Sequence, residues 1–213
     1  MLIDKTFSLA FEHHKKNNFI EAEKLYSEIL DLNPNHFESL FYLGSLALQT
    51  KRFVLSKKNL EKAIEINPKF PDALNNLGLV FKELGENEKA KRFLKKAINL
   101  QPSNPILHNN LGSVFDLLNE QKESLNCYQK AIKLDNRYVE AYINLAMTHE
   151  KLKNFQEAKK YYEKALHLNP NQKKGQFGYG RILLLMNQHN KALHFIEKGS
   201  GVIKFTQENF LII

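Results

Sequence analysis

The phrase Asn75-Asn76-Leu77-Gly78 returns thirty-four residues later as Asn109-Asn110-Leu111-Gly112. It is preceded, one interval earlier, by Phe41-Tyr42-Leu43-Gly44 and followed by Ile143-Asn144-Leu145-Ala146. A second phrase keeps the same interval: Lys62-Ala63-Ile64, Lys96-Ala97-Ile98 and Lys164-Ala165-Leu166. A chain that repeats at this spacing cannot bury its apolar faces one unit at a time. Each repeat is one supersecondary unit, and the core exists only when neighbours stack.

The repeats begin at Ile3, Phe37, Pro71, Pro105, Val139 and Lys173, with no insertion between them. Position 8 of each is small: Ala10, Gly44, Gly78, Gly112, Ala146 and Gly180. Position 20 is Ala or Ser, position 24 is large, and position 32 is proline in four repeats. Leu74, Leu77, Phe81 and Leu84 share one helix face, as do Ala90, Phe93, Leu94, Ala97 and Ile98. Gly85-Glu86-Asn87 between them reads as a turn joining antiparallel helices. Gly78 and Ala90 are small where those helices should cross most closely. Pro71 and Pro105 suit a first helical position, and Pro102 stops the helix before it.

This set of positions resembles the tetratricopeptide repeat. The resemblance implies an all-α fold, a right-handed superhelical solenoid of about six helix–turn–helix repeats spanning residues 3–198. Repeat 1 is atypical, with Thr6, Ala10 and His13 at core positions. Repeat 4 has Asn136 in place of the closing proline, which predicts a looser loop there. In repeat 6, Gly199-Ser200-Gly201 predicts that the last helix ends near Lys198. Residues 199–213 are then an apolar C-terminal tail, predicted to fold back over repeat 6 as a cap or to self-associate with a second copy.

Chemistry is hard to find in the sequence. The eight histidines form no metal-ligand spacing, and no Gly-Lys-Ser/Thr follows the glycines around Gly178. No serine or cysteine sits in a catalytic setting, so the expectation is no catalytic residue, no metal and no cofactor. The lone Cys127 forms no disulfide framework, and the N-terminus lacks a signal-peptide apolar core, which together predict a cytoplasmic protein without a membrane span. The net charge of +8 gathers on the second helices. A solvated outer face accounts for it; RNA binding there is the lesser alternative.

The resemblance also implies which side chains line the concave face: first-helix positions 2, 5, 6, 9, 12 and 13. These give an aromatic zone (Phe7, Phe11, Phe41, Tyr42), an amide zone (Asn75, Asn76, Asn109, Asn110, Asn144) and a mixed zone with Lys174 and Arg181. Asparagine is a poor helix former, so its recurrence at position 6 needs a reason. One reason is peptide main-chain recognition, since an amide both donates and accepts. The ladder Asn76, Asn110, Asn144 is similar in this to the repeat arm of O-linked N-acetylglucosamine transferase. The other is that these amides bond to neighbouring helices. The dicarboxylate clamp of chaperone-binding relatives is matched only at Asn144 and Lys174. The sequence thus predicts a non-catalytic scaffold that binds an extended peptide or partner segment. A substrate-targeting arm for an enzyme domain acting in trans is the alternative.

Overall fold

The computed structural model describes residues 2–200 together with the backbone of two short strands beyond them. Every apolar stripe becomes a helix. In repeat 1 these are α1 (Leu2–Lys15) and α2 (Phe19–Leu32), in repeat 2 α3 (Phe37–Gln49) and α4 (Phe53–Ile66), and in repeat 3 α5 (Pro71–Glu83) and α6 (Asn87–Leu100). Repeat 4 gives α7 (Pro105–Leu117) and α8 (Gln121–Leu134), repeat 5 α9 (Val139–Lys151) and α10 (Phe155–Leu168), and repeat 6 α11 (Lys173–Leu185) and α12 (His189–Ser200). The chain divides into two units at Pro102, the closing proline of repeat 3, so each unit holds three helical hairpins.

The partners in each hairpin approach closely because position 8 carries almost no side chain. A Cβ on Gly44 would lie 2.7 Å from Leu60, one on Gly78 2.8 Å from Leu94, and one on Gly112 2.6 Å from Tyr128. The small residue therefore receives the large side chain at position 24. This sharpens the sequence reading, which had matched Gly78 with Ala90: the Gly78 site is 3.4 Å from the Ala90 carbonyl, but Leu94 is nearer. In repeat 2 the Ser56 hydroxyl at position 20 donates to the Gly44 carbonyl at 2.7 Å.

All six intra-repeat turns share one geometry. The position-15 residue adopts a left-handed φ in each: Asn17, Lys51, Gly85, Asn119, Lys153 and Asn187. The next amide then reaches back five residues, as in Glu86 N–H to the Phe81 carbonyl at 2.8 Å and Asn154 N–H to the His149 carbonyl at 2.9 Å. This closes each first helix with a Schellman motif. Turns between repeats are set differently. The side chains of Asn33, Asn67, Asp135 and Asn169 each accept the backbone N–H two residues on. Asp135 makes this bond in the turn that lacks proline, so the loosening expected at Asn136 is offset by the same local device.

The C-terminal end departs from expectation. Helix α12 continues to Ser200, past the predicted stop at Lys198. Gly199 serves packing instead: a Cβ there would lie 2.5 Å from the Phe177 backbone nitrogen on α11. Beyond it, Ile203–Phe205 and Phe210–Ile212 pair as antiparallel strands, with Lys204 opposite Leu211. The predicted cap involves side chains from Val202 to Ile213, which lie outside the described residues.

Lys51 and Lys153 hold a backbone conformation that costs a residue with a Cβ about 1–2 kcal/mol. Lys51→Gly and Lys153→Gly are each expected to stabilise the protein by up to about 1 kcal/mol, after the glycine's own entropy is deducted. Urea unfolding of the two variants against the wild type checks this; an unchanged or lowered midpoint contradicts it.

Candidate functional site

Position 6 of the first helices carries the asparagine ladder, for which the sequence leaves two roles open: gripping a peptide main chain or bonding to neighbouring helices. In the N-terminal unit, the Asn76 side chain on α5 donates to the Ser45 hydroxyl on α3 at 3.0 Å and accepts from the Asn75 amide at 3.2 Å. In the C-terminal unit, Asn144 on α9 donates to the Asn109 side chain on α7 at 2.9 Å. The Lys174 ammonium on α11 in turn donates to the Asn144 oxygen at 3.3 Å. Of the two roles open to this ladder, bonding between neighbouring first helices is therefore realised at Asn76 and Asn144. Both side chains remain half-exposed, as do Asn75 and Asn110, while Lys174 is exposed. Each amide has further bonding capacity beyond the contacts it makes.

Three of the predicted face residues are placed otherwise. Phe41 is only 9% exposed, packed edge-on against Phe70 with ring centres 5.0 Å apart. It is a core residue, because Phe37 and Phe70 enclose it from the turn side. Asn109 is 6% exposed, so its amide orients Asn144 and is not itself an accessible contact. The Arg181 guanidinium pairs with the Glu150 carboxylate: Nη2 donates to one oxygen at 2.8 Å, while Nε lies 2.6 Å from the other without hydrogen-bond alignment. Its donors are directed at a neighbouring helix.

The aromatic zone keeps an accessible part. Phe7, Phe11 and Tyr42 are half-exposed and mutually in contact, with Phe11 and Tyr42 ring centres 4.9 Å apart and Phe7 and Tyr42 5.7 Å apart. Lys15 lies over the Phe11 ring at 4.7 Å. Beneath them the Tyr26 ring stacks on Tyr42, and its hydroxyl reaches His14 Nδ1 at 3.5 Å.

That last contact belongs to a rule not read from the sequence. In the C-terminal unit, the Tyr128 hydroxyl donates to Asp116 at 2.8 Å, and the Tyr162 hydroxyl donates to Glu150 at 3.3 Å. Wherever position 24 is tyrosine, position 12 of the same repeat is a polar partner: His14, Asp116 or Glu150. Where position 24 is Leu60, Leu94 or Ile196, position 12 is Leu48, Lys82 or Leu184. These half-buried carboxylates are then tied to the next repeat. Asp116 accepts from the Thr148 hydroxyl at 3.0 Å, and Glu150 from Arg181. Burial, with the nearby carboxylate second, pushes the Tyr128 and Tyr162 hydroxyls far above their ordinary pKa, so they stay protonated and can donate to these carboxylates.

Among the described residues no group of three or more His, Cys, Asp and Glu could hold a metal ion. No described helix is long and apolar enough to cross a membrane. Stacked helical hairpins with a polar and aromatic first-helix face define a helical-repeat protein of the interaction-scaffold class. Tetratricopeptide repeat models match residues 12–56, 59–92 and 139–172, and a TPR repeat model matches 80–116 and 117–153. The chain belongs to the tetratricopeptide repeat family. No curated protein matches it at a significant level. Among solved structures it is similar to MamA, at 25% identity and a TM-score of 0.68 over 76% of this chain and 94% of that one. It also superposes on the pilF product of Pseudomonas aeruginosa (17% identity, TM-score 0.77, 91% of this chain and 88% of that one). YrrB, a TPR protein with an unusual peptide-binding site, matches at 19% identity and a TM-score of 0.60 over 83% of this chain and 91% of that one.

Removing the Asp116 carboxylate strands the buried Tyr128 hydroxyl and leaves the Thr148 hydroxyl only its bond to the Asn144 carbonyl. Asp116→Ala is expected to cost about 1–3 kcal/mol, and adding Tyr128→Phe and Thr148→Val should recover part of that loss. Urea unfolding of the single and triple variants measures both.

Acidification provides a second check. Burial holds His14 below its ordinary 6.5, partly offset by a hydrogen bond with Gln49. Burial also lowers His149, with Lys160 adding to the effect and Glu157 opposing it. Both His149 ring nitrogens are buried without a hydrogen-bond partner, and the ring stacks on Tyr161 at 5.4 Å. Each imidazole binds a proton more readily in the unfolded chain. Their contribution to stability is therefore whole above 6.5 and is lost as pH falls below it toward the depressed folded-state values. The unfolding midpoint should drop between about pH 7 and about pH 5, and His14→Phe with His149→Phe should flatten that drop. An unaltered pH profile in the double variant speaks against the assignment.

Proposed function

We propose that the chain is a non-catalytic scaffold that binds an extended segment of a partner protein on its first-helix faces. The observation that carries this reading is the state of the position-6 amides. Asn76 and Asn144 each make a hydrogen bond to the preceding first helix yet stay half-exposed. A side chain already held by one bond loses little freedom on gripping a ligand, and main-chain amides and carbonyls are the complementary groups. The accessible rings of Phe7, Phe11 and Tyr42 supply apolar anchors in the N-terminal unit, where a partner's side chain can be desolvated. The peptide-binding site that YrrB carries on the same fold is consistent with this use.

The test is selection of binders from a displayed peptide library, followed by affinity measurement on variants. Asn76→Ala/Asn110→Ala/Asn144→Ala is expected to weaken a selected peptide by about tenfold or more, each lost bond being worth about 0.5–1.5 kcal/mol. Because Asn76 and Asn144 also link helices, the same variant should lose some stability, so affinities are compared where circular dichroism shows both proteins folded. Tyr42→Ala should cost affinity too, whereas Phe41→Ala should chiefly cost stability, by about 3–5 kcal/mol. Failure to select any peptide, or equal affinity in the triple variant, sinks the proposal.

A further inference from the structure

The N-terminal unit is electrically divided. Residues 1–50 carry seven Asp and Glu against four Lys, whereas residues 51–102 carry twelve Lys and Arg against six Asp and Glu. The division is sharpest on two second helices. Helix α2 has four carboxylates and one lysine; helix α6 has five cations and one carboxylate.

Internal pairing does not use these charges up. On α2, Glu23 is taken by Arg52, and Lys24 lies near Glu21 and Glu28 at 3.7 and 4.0 Å. Asp31 is exposed and forms no ion pair among the described residues. On α6, Lys89 pairs with Glu86 and Lys91 with Glu88. Arg92 and Lys96 are exposed and lie over the Phe93 ring at 5.3 and 5.4 Å, without a carboxylate partner among the described residues. Both helices also expose apolar groups at their ends. Ile20 is 85% and Leu32 67% exposed on α2, and Leu100 is 40% exposed on α6. Each is fourteen residues long, so the two faces match in length.

We infer that α2 of one copy docks on α6 of a second copy, so that the protein associates with itself head to tail. The complement to the α6 surface is thus present on the same chain. Because the two faces differ, the contact is heterologous and leaves a free α2 at one end and a free α6 at the other, which allows chains longer than two. The net charge of +8 opposes association at long range. At about 0.1 M salt the screening length is about 10 Å, so charges in direct contact outweigh those across the molecule. Raising the salt to about 1 M shortens it to about 3 Å and removes the attraction.

Sedimentation velocity on the full chain over a concentration series tests this. Wild type is expected to self-associate at about 0.1 M salt and to dissociate at about 1 M. Arg92→Glu/Lys95→Glu/Lys96→Glu makes α6 acidic, and Glu28→Lys/Asp31→Lys makes α2 basic. Each variant alone should associate at least about tenfold more weakly than wild type, and their equimolar mixture should regain association, because each then offers the other an opposite face. Circular dichroism confirms that both variants are folded. A wild type that stays monomeric at the lower salt overturns the inference. So does association that persists in both single-face variants or ignores salt, which assigns the contact to another surface such as the C-terminal tail. A mixture that does not associate overturns it as well.

Discussion

Everything in this protein rests on how near the two helices of a hairpin can come. The gap at position 8 admits the position-24 side chain, and the crossing so fixed decides which faces remain for neighbours. Where position 8 is Gly44, Gly78, Gly112 or Gly180, an added Cβ would enter the facing side chain at under 3 Å. Overpacking of that kind costs about 1–3 kcal/mol and moves backbone. In a stacked array, where each repeat meets only its neighbours, a shift in one hairpin is passed to the next interface.

The two units use different means to hold one first helix to the next. The N-terminal unit relies on aromatic contact, from Phe7 through Tyr42 and Phe41 to Phe70, with one amide–hydroxyl bond at Asn76. The C-terminal unit relies on polar links through Asp116, Asn144 and Glu150. Contacts between Phe and Tyr rings carry no charge to titrate near neutral pH or to be screened by salt, whereas a half-buried carboxylate matters only while it stays ionised and paired. The position-6 glycine of repeat 6 follows from the same scheme. Tyr162, reaching toward Glu150, occupies the space a side chain on Gly178 would need.

Periodicity made the helices and their pairing legible, because small residues at position 8 and large ones at position 24 recur without slippage. It could not show which way a half-buried amide points. Asn109 and Asn110 are adjacent and identical, yet one is buried and orients Asn144 while the other is half-exposed. Phe41 and Tyr42 pose the same problem, and only the packing of Phe37 and Phe70 assigns Phe41 to the core. The tyrosine–acid pairing was available from the sequence by comparing the six repeats with one another. Positions 12 and 24 change together, which is the mark of contact, whereas taken column by column position 24 shows only that it is large.

The polar links in the C-terminal unit also bear on how far local opening can spread. Repeat 5 is gripped on both sides, to repeat 4 through Thr148 and Asp116 and to repeat 6 through Glu150 and Arg181. In such an array one repeat can open while its neighbours stay folded. Opening that starts at α12 meets little polar resistance until it reaches Arg181 on α11, where breaking the ion pair would leave the mostly buried Glu150 carboxylate with only the Tyr162 hydroxyl. The ion pair thus acts as a stop, confining loss of order to the last hairpin and sparing the amide-bearing faces of α7 and α9.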